Sequence, residues 1–136
     1  MTRAPLAALL LLLATAAEAQ TPSTLLKWTA PGDDGSVGTA TAYEARFATS
    51  RPDTSTSATF SSWWAAATPI AGLPAPLAAG TLQSVTVAPA GGFASGLTYW
   101  FAIRAVDDAG NWAAYSNLAW RSFVDIVAPS RVTDFR

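Results

Sequence analysis

The sequence predicts an all-β protein built as a sandwich of short strands, and three observations lead there. Apolar residues fall at every second position along Tyr99, Phe101, Ile103 and Ala105, the period of a strand that buries one face. Further short runs recur along the chain, each closed by Gly, Pro, Asp or Asn. Finally, beyond the N-terminal apolar run, no segment keeps the 3.6-residue period of an amphipathic helix over three turns.

The N-terminus reads as a leader, not as part of the sandwich. Thr2 and Arg3 form a weakly positive start, Leu6 to Ala17 an apolar run, and Ala17-Glu18-Ala19 a small-x-small cleavage site. These are the parts of a secretory signal peptide over residues 1–19. The run is short for a membrane span, which needs about 20 apolar residues, so a retained anchor is the lesser alternative. No cysteine follows it, which excludes a lipid-anchored lipoprotein. The domain is then 20–124, followed by a distinct segment over 125–136.

From Gln20 onward each strand has its own justification. Thr24 to Thr29 places Leu26 and Trp28 on one face, and Pro31, Gly32 and the turn Asp33-Asp34-Gly35 stop it. Thr41 to Phe47 alternates Tyr43, Ala45 and Phe47 with Glu44 and Arg46. Ala48 to Ser62, rich in Thr, Ser, Asp and Pro, reads as a loop. Trp63 to Ile70 reads as a short edge strand, whose adjacent tryptophans Trp63 and Trp64 would point to opposite faces. Gly72 to Gly80, holding Pro74 and Pro76, is a connector. Thr81 to Val87 is the next strand. Tyr99 to Ala105 follows, stopped by Asp107-Asp108-Ala109-Gly110-Asn111, and the last strand lies around Ser116 to Phe123.

The lead-in Phe93-Ala-Ser-Gly96-Leu-Thr-Tyr99 resembles the Leu-x-Pro-Gly-Thr-x-Tyr signature of fibronectin type III domains, with Phe93, Ser95 and Leu97 in place of Leu, Pro and Thr. Trp28-Thr-Ala-Pro-Gly-Asp-Asp-Gly35 is similar to the form of that family found in exported bacterial proteins. The resemblance implies an immunoglobulin-like sandwich over roughly 24–123, in which Tyr99 anchors a corner and Trp28 packs in the core. Trp28, Tyr43, Phe93, Tyr99, Phe101 and Ile103 are the expected core. Two departures follow. The family's first strand has no counterpart before Thr24, whereas Val127-Ala-Pro129-Ser-Arg-Val132-Thr-Asp-Phe135-Arg136 looks like the opening strand of a following repeat, cut short. A tail leaving the pole opposite the one where that first strand should begin does not return over so short a linker. It suits donation to a neighbouring molecule, head to tail, in an otherwise monomeric protein.

Composition narrows the chemistry. There is no cysteine and no histidine, which removes disulfides, thiol catalysis, the commonest general base and the commonest zinc ligand. The formal net charge of -1 points to neither nucleic acid nor an anionic membrane as partner. No catalytic triad or paired-carboxylate cleft is legible, so the expectation is a protein that is not an enzyme. Asp33, Asp34, Asp107 and Asp108 lie in two loops that the resemblance places at one pole, where carboxylates would suit calcium. Asp-Gly and Asn are also plain turn formers, the simpler role for them. Trp100 should face outward, either as a sugar-stacking or interface aromatic or as a surface packed under Arg46 or Arg104.

The expected protein is therefore a secreted, extracellular or periplasmic, non-catalytic module without a resident cofactor. It would act as a spacer or as a binding domain for other proteins or for polysaccharide at the cell exterior. The alternative is the N-terminal accessory part of a longer exported hydrolase continuing past Arg136.

Overall fold

A computed structural model describes residues 21–124 together with 129, 131–133 and 136. The leader reading over 1–19 and most of the 125–136 segment lie outside the described residues. The described tail positions belong to no strand.

Strands β1 (Thr24–Thr29), β2 (Ala42–Ala48), β3 (Thr68–Pro69), β4 (Leu82–Val87), β5 (Leu97–Val106) and β6 (Ala119–Phe123) form two antiparallel sheets. Among the described residues one sheet holds β1 and β4, and the other runs β3-β2-β5-β6. The alternation seen in the sequence is what fixes the register. Ala45 pairs with Ile103 and Phe47 with Phe101, so the apolar positions of β2 and β5 share one face. Across the gap, Leu26, Val85 and Val87 come from the two-stranded sheet, and together these residues form the core between the layers. The sandwich-like, all-β architecture expected from the period of two is present.

Aromatic rings fill the centre of this core. Phe93, 2% exposed, stacks on Phe123 with centroids 4.5 Å apart and meets Tyr99 at 4.7 Å and Phe47 at 5.6 Å. Burying each such side chain contributes roughly 1.5–3 kcal/mol. Tyr99, Phe101 and Phe93 are buried as expected, whereas Trp28, Tyr43 and Ile103 are only half-buried. Trp28 meets Tyr43 edge-on at 5.3 Å, and its indole N–H is shielded from solvent yet finds no acceptor. These three lie toward the side of the sandwich where the second sheet falls short.

The segment between β2 and β3 differs from its sequence reading. Residues 57–62, expected in a loop, and Trp63 and Trp64, expected on an edge strand, belong instead to helix α1 (Ser57–Ala66). Thr56 caps it: its hydroxyl accepts from the Thr59 N–H at 3.1 Å, and the Thr59 hydroxyl accepts from the Thr56 N–H at 3.3 Å. Phe60, Trp63, Trp64 and Ala67 follow the i, i+3, i+4, i+7 rule and are all buried. They cover Ala102 on the outer face of the larger sheet, so the helix makes a third layer. The strand that does form there is only the two-residue β3, paired with Arg46 and Phe47.

Candidate binding face and loop pole

The outer face of the four-stranded sheet is organised by a charge cluster beside an aromatic one. Register sets Glu44 of β2 opposite Arg104 of β5, with Arg46 two residues along the same face. Glu44 Oε2 accepts from Arg104 Nη2 at 2.7 Å and Nε at 3.1 Å, while Oε1 accepts from Arg46 Nη2 at 2.6 Å and Nε at 2.9 Å. Burial pushes the Glu44 carboxyl up, but the hydrogen bonds from Arg104 and Arg46 outweigh it and hold the group below its ordinary value. Arg104 lies between rings, 4.1 Å from Trp112, 5.0 Å from Trp64 and 5.4 Å from Tyr115. Arg46 lies 5.5 Å from Trp64 and donates to the Trp64 carbonyl at 3.1 Å. This constellation ties α1 to the sheet through cation–π contacts and charge-assisted hydrogen bonds.

Trp100 lies on this outer face of β5, as expected, but not under Arg46 or Arg104. Those two arginines cover Trp64, and the guanidinium over Trp100 is that of Arg51, at 5.3 Å. The sequence reading missed Arg51 because the backbone of 48–56 brings it back over the sheet. It also left Trp120 without an orientation. Trp120 pairs directly with Trp100 across β5 and β6, their rings 6.2 Å apart and tilted by 39°. Trp120 is 63% exposed. The next pair on the same face, Thr98 and Ser122, joins two hydroxyls at 2.6 Å. Indoles, hydroxyls and a guanidinium therefore line one accessible strip, bounded by α1.

The loop pole gathers the four acidic residues only in part. The Asp108 N–H donates to Asp33 Oδ1 at 3.3 Å, so the two loops do meet. Asp107, however, spends its carboxylate within its own turn, accepting from the Asn111 N–H at 2.7 Å and from Asn111 Nδ2 at 2.8 Å. Those Asn111 bonds hold the Asp107 carboxyl below its usual range. Asp34 joins a tight bridge with Val37, and among the described residues no three acidic side chains converge as a metal site. Of the four, Asp107 is seen closing its own turn and Asp33 joining the two loops.

A second polar network secures the connector. Gln83, 5% exposed, accepts through Oε1 from the Tyr43 hydroxyl at 2.7 Å and the Leu77 N–H at 3.0 Å, and donates to the Ala75 carbonyl at 2.9 Å. Tyr99 performs a similar task, its hydroxyl accepting from the Ala94 N–H at 3.1 Å. Among the described residues no helix is long and apolar enough to cross a membrane. No family model matches the chain, and neither a curated protein nor a solved structure matches it.

Proposed function

We propose that this chain is a non-catalytic module of an exported protein, of the fibronectin type III kind, that spaces neighbouring domains and binds polysaccharide on its outer sheet face. The observation that carries the binding role is the cross-strand pair Trp100–Trp120, with Trp120 63% exposed and Arg51 alongside. Flat indole faces stack on the apolar faces of sugar rings, and the adjacent hydroxyls and guanidinium supply hydrogen bonds to sugar oxygens. The type III kind is supported by the Tyr99 hydroxyl fastening the backbone five residues upstream, as the family's corner tyrosine does. It is supported too by β1 and β4 sharing one sheet while β2, β5 and β6 share the other. Export is supported by the leader pattern over 1–19.

A pull-down on insoluble polysaccharides, with a glycan array alongside, tests the reading. Trp120→Ala should cut retention about tenfold or more, the loss expected of an aromatic anchor. Trp120 contributes little to the core, so the variant should keep its fold. Retention equal to wild type in Trp100→Ala and Trp120→Ala would dismiss the face as a sugar site.

A further inference from the structure

The two sheets differ in width, and the difference leaves one edge of the sandwich open. Among the described residues β1 has a neighbour on one side only. Ala30 exchanges hydrogen bonds with Thr81 and Gly80 at 2.8 and 2.9 Å, so its main-chain groups face β4. Antiparallel strands alternate, which turns the N–H and C=O groups of Leu25, Lys27 and Thr29 to the open side. Beside this edge runs a groove of about 540 Å³, walled by β1 on one side and by the chain entering β6 on the other. Its apolar lining includes Leu26, Trp28, Phe101, Ile103 and Ala119. Leu26, Trp28 and Ile103 face the interior yet remain only half-buried.

The chemistry of this edge selects its occupant. A row of main-chain donors and acceptors beside an apolar trough is matched by an extended polypeptide, which offers the same groups in the same spacing. The segment following β6 meets that requirement: it contains no glycine and carries Val132 and Phe135 as apolar groups. Val132 is 69% exposed and lines no part of the groove of its own chain. Phe123 accepts from the Gly96 N–H at 2.6 Å and Pro22 from the Phe93 N–H at 3.1 Å, which places the exit from β6 at the Thr24 end of β1. An antiparallel partner must enter at the Thr29 end, about 17 Å away at roughly 3.4 Å per residue. Residues 124–128, fully stretched, span no more than about 18 Å, with nothing left for the reversal. The same segment of a second molecule meets no such limit.

We infer that the β1 edge accepts the 129–136 segment of a second copy as an added antiparallel strand, giving a head-to-tail assembly. The contact is heterologous, so it propagates rather than stopping at a dimer. The β1 edge lies apart from Trp100, although Trp120 also lines the groove, so the truncation and Lys27→Pro, which both leave Trp120 in place, test the edge independently of the sugar site.

Sedimentation of residues 21–136, which contain the whole described sandwich and its core, tests the inference. From micromolar to millimolar concentration the average mass should climb past that of a dimer. Truncation after Val124 should return it to monomer at every concentration, and the truncated protein should bind a synthetic peptide of residues 128–136. Lys27→Pro should abolish both, because proline removes an outward N–H that no strand uses, a change tolerated at an unpaired edge. A mass that stays monomeric throughout overturns the inference, as does association that survives the truncation. If Lys27→Pro fails to fold, the truncation and peptide arms decide alone.

Discussion

Single residues in this protein act mostly as fasteners, and Gly92 is one of them. Its φ is +78°, and a Cβ there would sit 2.7 Å from Pro22 Cδ and 2.8 Å from Thr21 Cγ2. The Phe93 N–H next to it donates to the Pro22 carbonyl, so the crowding falls where the chain enters β1. Gly92→Ala should cost about 1–3 kcal/mol in urea denaturation, through the left-handed backbone and the contact together. Glu44 carries a different dependence. Its carboxyl is held below the ordinary value in the folded protein, so its contribution is complete above that value and fades as pH falls through the lowered one. Glu44→Gln should lower the melting temperature at neutral pH, by the equivalent of about 1 kcal/mol. The gap to wild type should narrow as pH falls below the ordinary carboxylate range and close once the lowered value is passed. A gap that did not narrow at any acid pH at which both proteins stay folded would remove Glu44 as its source. Asp107 and Asp33 are engaged within and between their loops, so calcium and chelator should give the same melting midpoint.

At the level of elements, what was legible depended on how a residue's environment is encoded. Strand β5 was readable because Tyr99, Phe101 and Ala105 bury one face, a period that sequence alone displays. Helix α1 was not read, although Phe60, Trp63, Trp64 and Ala67 carry the right spacing. The helix is ten residues long, and a requirement for three full turns passes over it. Its remaining positions are mostly Ser and Ala, which give little contrast between faces, and Ser and Thr also dominate loops. The cap was equally disguised, because Thr59 fills the place where Glu or Gln marks a capping box. Two substitutions check the helix as an element. Thr56→Ala should cost about 1 kcal/mol by removing the cap. Trp64→Ala should cost about 3 kcal/mol or more, since it empties a buried site, strips Arg46 of its aromatic partner and removes one of the three rings around Arg104. The outer-face pair was half legible: Trp100 could be oriented from the period of β5, but Trp120 became readable only once pairing placed it opposite.

Across the whole molecule three layers share the work unequally. The helix and the four-stranded sheet are joined by buried aromatics and paired charges, and the middle of the sandwich by interlocking rings. Among the described residues the two-stranded layer has no strand beyond β1, and none of the six residues of β1 is fully buried. The groove beside β1 was not legible, because it depends on the relative width of the sheets, which no single run of residues encodes. Stability in such a body is not evenly spread, because a layer with fewer buried contacts opens at lower cost than the rest. Amide protons of β1 should therefore trade with deuterated solvent well before those of β5, in a local fluctuation that leaves the other layers closed. Any strand that docked there would slow this exchange first at Leu25, Lys27 and Thr29, marking the visitor's footprint without a label on it.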